Sequence, residues 1–391
     1  MNKVRLDYIL IALILLLTLL GMVTLYSASY LFALNHPDRF TSGGITPLKG
    51  NFIAFLIIIP AFLIIVLVIK MEWLKNGNFV AFVVLFTLFL NVCPLFPFFW
   101  KATHRPGIDA MRWIYFRVGS RELFHFQPSE LIKIVLPLYL AHIINKNSER
   151  IDSFWYGPLP PFVLTGFFCL LVFLQGNFSE TILIASSSMV ICFAAGIRFR
   201  WFILATLIIA LFAWLIISFD REGMRFQRIV SFFSREPSPP ELRTQIDFSL
   251  EAIKSGGFWG KGIGQGMLKT RMPEVHGDFV FAAYVEEAGF LGVAFFLFLF
   301  GSFAWIGYLS ASQSRDLFTQ IFAFGLITYI VVQTMMNIMV VVKLIPTTGI
   351  PLPFVSSGGS SLFMTLAAAS LLVNITRRNI LSEDMGGQYA G

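Results

Sequence analysis

The chain has few charged residues. Of its 391 residues, 13% are Asp, Glu, Lys or Arg, whereas a soluble domain averages about a quarter. Hydrophobic residues make up 57% of the sequence, and the chain carries 44 Phe. These proportions exclude an ordinary soluble enzyme and indicate an integral membrane protein.

Cysteine is also scarce. Cys93, Cys169 and Cys192 all lie within apolar runs, so we expect neither a disulfide framework nor a metal site built on thiolates. The net charge of +7 would suggest nucleic acid as a partner of a soluble protein. Here much of the basic excess lies at the ends of apolar runs, where anionic lipid and topology explain it. We therefore expect membrane lipid as a partner, and no nucleic acid.

Long apolar runs dominate what is present. A helix needs roughly 20 apolar residues to cross the hydrocarbon layer, and this length predicts an all-α polytopic membrane protein with about ten transmembrane helices. The first run is too long for a secretory signal and has no convincing cleavage site. The predicted spans are residues 8–31, 50–70, 78–100, 127–145, 157–175, 179–197, 200–218, 279–308, 317–342 and 354–375.

Basic residues predict the orientation of these spans, because short cytoplasmic loops collect Lys and Arg. The pattern is consistent if both termini are cytoplasmic. The large loop 219–278, between helices 7 and 8, and the shorter loop 101–126 then lie outside the cytoplasm. Residues 1–378 form one membrane domain, and residues 379–391 are predicted to be a short, disordered cytoplasmic tail.

Ionisable residues near the fourth span are candidates for function. Glu130 and Lys133 are three residues apart on one helix face and can pair. They either lock neighbouring helices together or face a functional cavity. Arg112 belongs to an outer loop that is unusually basic, so it meets either lipid headgroups or a bound anion. Glu180 is interpreted more simply, as an acidic residue that supports a helix start through the helix dipole.

The large outer loop contains a glycine-rich segment at residues 256–266. It lacks the GxxxxGK[ST] pattern and does not follow a strand, which excludes a nucleotide-binding P-loop. We expect instead that its backbone approaches a lipid headgroup or another loop closely. Residues 245–254 just before it are predicted to form a surface helix.

Asp278 closes the large loop at the edge of an apolar span. Desolvation there weakens the charged form of a carboxylate and makes it a better general base near neutral pH. His276 lies two residues earlier, but two candidate ligands without a third make a weak metal site.

The connection between the last two spans, residues 343–361, contains three prolines and repeated small polar residues. Broken backbone at membrane depth is tolerated where it is buried in protein or lines a cavity. The segment is therefore predicted to be a cavity wall; the alternative is an outer loop whose small residues allow close helix packing.

Several short motifs follow one another along nearly the whole chain. They are Tyr26-Ser27-Ala28-Ser29, Arg112-Trp113, Phe126-Gln127-Pro128-Ser129-Glu130-Leu131 with Lys133, residues 255–266, Pro273-Glu274 through Glu287, and Thr348-Gly349-Ile350-Pro351-Leu352-Pro353-Phe354 with Gly358-Gly359-Ser360-Ser361. In this order they resemble the shape, elongation, division and sporulation (SEDS) family, which includes FtsW, RodA and SpoVE. Residues 268–274 and 286–289 are more similar to the division branch, typified by FtsW, than to RodA.

The resemblance implies a ten-span enzyme of the bacterial cytoplasmic (inner) membrane that polymerises lipid II into peptidoglycan glycan strands at the outer face, in cell division or shape control. It implies that Asp278 is catalytic. The implied partners are lipid II, the growing glycan strand, a class B penicillin-binding protein and other divisome or elongasome proteins. The chain departs from the family at Gly277, at Ser357 and at Gly176-Asn177-Phe178, where the family's Pro-Asp-Phe supplies a carboxylate.

We expect an inverting glycosyl transfer with a polyprenyl-pyrophosphate leaving group. The predicted substrate-binding residues are Arg112, Glu130, Lys133, Arg228, Gln245, His276, Lys343 and Ser360. No cofactor and no protein-held metal is predicted with certainty, although a divalent cation, Mg²⁺ or Mn²⁺, could share the charge of the leaving group. The alternatives are a lipid II flippase without bond-forming activity and a scaffolding division protein.

Overall fold

The computed structural model describes residues 5–35, 62, 64–96, 112–118, 121–207, 245–267, 277–356 and 359–388. Most of these residues are helical. The helices are α1 (Leu6–Asn35), α2 (Met71–Lys75), α3 (Gly77–Val92), α4 (Ser129–Lys146), α5 (Leu159–Leu174), α6 (Phe178–Ala194), α7 (Gln245–Gly256), α8 (Val280–Ser312), α9 (Leu317–Val341) and α10 (Gly359–Gln388). Residues 64–68 and 199–207 are also helical.

Five helical segments are long and apolar enough to cross a membrane: Leu6–Ala28, Gly77–Leu95, Val280–Ser312, Leu317–Val341 and Gly359–Leu381. Helices α5 and α6 are shorter but apolar. The prediction of a polytopic helical membrane protein is therefore confirmed. Most of the predicted spans 50–70 and 200–218 and of the loop 219–278 lies outside the described residues, so the count of ten stays a prediction.

A two-stranded hairpin interrupts the helical pattern. Strand β1 (Ile114–Val118) pairs antiparallel with β2 (Arg121–Phe126), and Ile114 lies opposite Phe126. The all-α prediction is right for the bundle but misses this hairpin. The segment is rich in Tyr, Phe, Ile and Val, which suit strands. The prediction considered only its basic residues and therefore missed the strands.

Residues 379–388 of the predicted tail 379–391 are helical, because α10 continues to Gln388. Side chains near the end of this helix contact its neighbours. Asn379 Nδ2 donates to the Ser310 carbonyl oxygen at 2.9 Å, and Arg378 Nη2 donates to the Ile69 carbonyl oxygen at 3.0 Å. These contacts hold the helix where its apolar pattern has already ended.

Alternating chain direction gives the bundle two ends. At the site end, α1, α3, α5 and α9 finish, and α4, α6, α8 and α10 begin. Gln175 Nε2, after α5, donates to the Asn91 carbonyl oxygen in α3 at 2.6 Å, and Asn91 Nδ2 reaches the Pro128 carbonyl oxygen before α4 at 3.3 Å. At the opposite end, α4, α6, α8 and α10 finish.

Helix α9 is the central element, because it contacts α4, α6, α7, α8 and α10. Its buried rings include Phe318, Phe322 and Tyr329. The Tyr329 hydroxyl lies 3.3 Å from Ser188 Oγ of α6, so even the polar atom of this ring has a partner. Residues on α9 are therefore well placed to support a site at its end.

Candidate active site

Asp278 lies on a turn, residues 277–279, immediately before α8, and is half-buried. Asn337 of α9 fixes this turn: its Nδ2 donates to the Asp278 carbonyl oxygen and to the Ile350 carbonyl oxygen, each at 2.8 Å. One buried amide therefore joins the catalytic candidate to the irregular segment that follows α9.

Ser356 fixes the same turn from the other side. Its hydroxyl donates to the Gly277 carbonyl oxygen at 2.6 Å and accepts a hydrogen bond from the Leu352 amide at 2.7 Å. Gly349, at φ +70°, lies so close that a Cβ there would be 3.4 Å from Asp278 Oδ2. The backbone around Asp278 is thus held by short contacts while its carboxylate keeps some exposure.

The segment between α9 and α10 is irregular, as its prolines predict. Leu352, Phe354 and Val355 are nevertheless buried, and Gln333 Nε2 of α9 donates to the Pro351 carbonyl oxygen at 2.8 Å. Broken backbone inside an apolar bundle needs such partners. The segment runs directly beside Asp278, where the sequence predicted a cavity wall.

Lys133, Glu130 and Glu180 form a buried charge cluster at the starts of α4 and α6. Lys133 Nζ donates to Glu130 Oε2 at 2.8 Å and lies 3.3 Å from Glu180 Oε1. The exposed fractions of the three side chains are 7%, 2% and 3%. The predicted pairing of Glu130 with Lys133 is present, and Glu180 is an additional partner on a second helix.

Arg112 lies just before β1 and close enough to Glu180 to attract its charge. Its Nε is buried and makes no hydrogen bond within the part of the chain that the structure describes. Burying such a donor without a partner is costly. An anion that reached this position would satisfy it.

Three apolar side chains connect the charge cluster to Asp278. Leu183, one turn after Glu180 on α6, packs with Met336 of α9 and with Ile350. Met336 is next to Asn337 in the chain, and Ile350 is next to Gly349. Asn337 and Gly349 both lie close to Asp278. The charge cluster and Asp278 therefore belong to one region at the site end.

The remaining predicted binding residues are distributed unevenly. Ser360 lies in the first turn of α10, and its buried Oγ has no hydrogen-bond partner among the described residues. Gln245 begins α7. Lys343, after α9, pairs with Asp247 of α7 at 3.8 Å and so faces the loop helix. Arg228 and His276 lie outside the described residues.

The glycine-rich segment 256–266 packs on a kink in α8. Gly289 has non-helical φ and ψ (64°, −163°) inside that helix. The Lys261 and Gly262 amides donate to the carbonyl oxygens of Glu286 and Glu287, each at 3.0 Å. A Cβ on Gly260 would overlap the Glu287 carbonyl. The backbone therefore approaches closely as predicted, but its partner is a helix and not the predicted lipid headgroup or loop.

Two consecutive acidic residues join this segment to the bundle. Glu286 Oε1 accepts from Lys261 Nζ at 2.7 Å and from the Met267 amide at 3.0 Å. Ser27 of α1 donates to the Glu287 carboxylate, whose oxygens lie at 2.6 and 2.9 Å. The sequence marked these residues as acidic and did not predict that Glu287 binds α1.

Asn337, Ser356 and Glu180 are site residues that sequence reasoning missed or interpreted differently. A polar amide within an apolar span is a signal in itself, and Asn337 could have been found in this way. Among the described residues, no three His, Cys, Asp or Glu come together as a possible metal site. The residues described here therefore offer cations, Lys133 and Arg112, rather than metal ligands.

Comparison with known proteins gives consistent matches. A sequence model of the family described as cell cycle protein, FtsW/RodA/SpoVE, matches residues 7–380. The chain is 33% identical over 382 residues to the probable peptidoglycan glycosyltransferase FtsW of Borreliella burgdorferi, covering 96% of this chain and 97% of the relative. It is 36% identical over 279 residues to the stage V sporulation protein E of Bacillus subtilis, covering 70% and 74%.

Solved structures share the fold. A chain from a structure of polymerization and crosslinking by a peptidoglycan synthase complex matches with a TM-score of 0.74 and 23% identity, over 95% of this chain and 97% of that chain. The rod shape determining protein RodA of Thermus thermophilus matches with a TM-score of 0.65 and 24% identity, over 97% of this chain and 99% of that one.

Proposed function

Because the chain belongs to the FtsW, RodA and SpoVE family of cell cycle proteins, we propose that it is a peptidoglycan glycosyltransferase that polymerises lipid II. The observation that carries this proposal is the position of Asp278. The residue is half-buried on a turn held by Asn337 and Ser356, in the same region as the buried Lys133 and the half-buried Arg112. A fixed carboxylate beside fixed positive charge suits proton removal coupled to departure of an anion.

In the proposed reaction, Asp278 accepts the proton of the acceptor sugar's 4-hydroxyl. The hydroxyl oxygen attacks the anomeric carbon of the donor strand and inverts it. The bond between that carbon and the polyprenyl pyrophosphate breaks, and the leaving group takes the electron pair. A positioned general base contributes about 10²- to 10⁴-fold to a rate.

Fixed cations stabilise the negative charge that develops on the pyrophosphate. Lys133 and Arg112 are the candidates that the geometry supports, because both are near the start of α6. Ser360 Oγ is a further buried donor with no hydrogen-bond partner in the described part of the chain. Lys343 is a weaker candidate, since it pairs with Asp247.

The membrane bundle fits a substrate with a long apolar tail. Exposed Leu and Phe side chains on α3 and α8 meet lipid, and a polyprenyl chain has the same character. We propose that the site end faces outward from the bacterial inner membrane and that both termini are cytoplasmic, because the opposite end carries the basic turns.

We also propose a class B penicillin-binding protein as partner, together with other divisome or elongasome proteins. The family resemblance supports this partner. The fold match to a chain of a peptidoglycan synthase complex is consistent with it.

The test is strand synthesis from purified lipid II by this protein, co-purified with its penicillin-binding partner. Glycan strands are expected and are measured by their length on a gel. Fluorescent lipid II in vesicles, with a quencher outside, measures transport in parallel. Lipid movement without strands would support the flippase instead, and repeating the synthesis with EDTA measures any contribution of Mg²⁺ or Mn²⁺.

A further inference from the structure

Glu180 contacts a cation on another helix, which its interaction with the helix dipole does not require. It lies in the first turn of α6, as predicted, but its Oε1 is 3.3 Å from Lys133 Nζ on α4, and its side chain is 3% exposed. A buried carboxylate is costly unless it is paired. The contact with Lys133 therefore accounts for the residue better than the helix dipole alone.

Glu130 and Glu180 hold the same amine in different ways. Glu130 lies on α4 with Lys133, at a spacing of i,i+3, so the pair can form wherever that helix lies. Glu180 belongs to another helix. Its contact fixes the direction of the amine relative to α6, and so relative to Leu183 and the segment beside Asp278.

Arg112 adds a second positive charge that acts on Glu180. Lys133 is the cation in contact with Glu180, at 3.3 Å. Without the charge of Glu180, Lys133 would keep Glu130 alone, and its amine would be free to turn away from α6.

Position 177 is a second position at which a carboxylate could be introduced near Lys133. Asn177 is the residue before α6, and 6% of it is exposed. It lies three positions before Glu180 and is buried at the same end of α6, so a carboxylate placed there lies near the same charge cluster. The SEDS resemblance leads us to expect Asp at 177, where this chain has an amide.

We infer that Glu180 is the positioning residue that aims Lys133, through the 3.3 Å contact between their side chains. The inference rests on the proposed function, because Lys133 is assigned to the pyrophosphate of lipid II. It makes Glu180 necessary for correct placement of the cation, while Asp278 remains the group that takes the proton.

Relocating the charge tests this inference. Three variants are compared with the wild type: Glu180→Gln, the double variant Glu180→Gln with Asn177→Asp, and the exposed control Glu149→Gln. Glu180→Gln should fold, since Lys133 keeps Glu130, but should lose about tenfold to a hundredfold in turnover, as expected for a misplaced group. The double variant should regain most of this loss, and the control should match the wild type.

A simple structural role predicts another pattern. The inference is overturned if Glu180→Gln turns over like the wild type, or if the double variant is no better than the single one while both unfold at the wild-type temperature. Should Glu180→Gln fail to fold, Glu180→Asp keeps the charge but shortens its reach. Unchanged turnover in that variant would contradict the inference.

Binding of fluorescent lipid II separates this inference from the proposed function. If the wild type binds lipid II but makes no strands, the glycosyltransferase proposal fails. The affinities of the variants for lipid II then test whether Glu180 positions Lys133. Weaker binding by Glu180→Gln and its recovery in the double variant would then support the positioning role, and equal affinities would overturn it. A wild type that does not bind lipid II contradicts both proposals.

Discussion

The two ends of the bundle use similar ion pairs in different surroundings. At the opposite end, Arg198 pairs with Asp152, Lys75 with Asp316 and Arg378 with Glu72, at distances of 2.5 to 3.8 Å, and the side chains are 36% to 73% exposed. At the site end, the Lys133 pairs have similar distances, but 7% or less of each side chain is exposed.

This difference shows that distance alone does not give the importance of a charge. An exposed ion pair contributes about 0–1 kcal/mol, because water screens it. A buried pair contributes little net stability when intact, but breaking it leaves an uncompensated charge that costs about 3–5 kcal/mol. Net stability therefore does not account for such a cluster, and under the proposed function its cations stabilise the charge of the pyrophosphate.

The largest effect on this comparison is expected from Lys133→Met. The variant leaves Glu130 and Glu180 buried without their cation, so it should destabilise the protein by about 3–5 kcal/mol, measured by thermal unfolding in detergent. The fraction that stays folded should make no glycan strands.

Lys75→Met is the matched control at the opposite end. It breaks the exposed pair with Asp316 and should cost about 0–1 kcal/mol without affecting turnover. Equal destabilisation by the two variants would contradict the contrast between the ends. Loss of strands by Lys133→Met in strict proportion to loss of folded protein would favour a purely structural ion pair.

A smaller effect is expected from Asn337→Leu. Asn337 binds the carbonyl oxygens of Asp278 and Ile350, and leaving them unsatisfied should cost about 1–3 kcal/mol. Turnover should fall as well, because the turn that carries Asp278 loses its support.

Asn374→Leu provides the comparison at the opposite end, where Asn374 Nδ2 lies 2.9 Å from the Val66 carbonyl oxygen and also reaches those of Ile65 and Ile69. It should lose similar stability but keep the turnover of its folded fraction. If both variants reduce turnover equally, Asn337 has no special relation to the site.

The smallest effect concerns Asp316, which precedes α9 at the opposite end. Partial burial acts to raise its pKa, but hydrogen bonds from Thr319 and Lys75 outweigh burial and lower the pKa of Asp316 overall. A lowered folded-state pKa stabilises the protein above the unfolded value, about 3.9, and this contribution is lost as the pH falls through the folded value.

Asp316→Asn keeps the helix cap but removes the charge. It should cost less than about 1 kcal/mol at pH 7, and the difference from the wild type should shrink as the pH falls through the lowered pKa of Asp316. Unfolding curves across this pH range measure it. If the stability difference between the variant and the wild type grows as the pH falls, the pKa of Asp316 is not lowered by folding.

Much of the fold could be predicted from run lengths, because the membrane fixes how long an apolar helix must be. The hairpin β1–β2 and the end of α10 could not, since neither contributes an apolar run. Within the site, the Glu130–Lys133 pair follows from helical spacing, whereas Asp278 was predicted from its place at the edge of a span together with the family resemblance. Both depend on local sequence.

The contacts that sequence reasoning missed join distant parts of the chain. Ser27 and Glu287 are 260 residues apart, and Glu180 reaches Lys133 from another helix. No periodicity links such residues, because helix packing brings them together. The contact of Glu180 with Lys133 became visible only in the packed bundle.

The most direct test of the central claim compares Asp278→Asn with Asp152→Asn in strand synthesis from purified lipid II. The two variants make the same chemical change, one on the turn held by Asn337 and one on the exposed surface of the opposite end. We predict that Asp278→Asn folds and binds lipid II but makes no strands, whereas Asp152→Asn makes them at the wild-type rate. Full strand synthesis by folded Asp278→Asn would contradict the assignment of Asp278 as the general base.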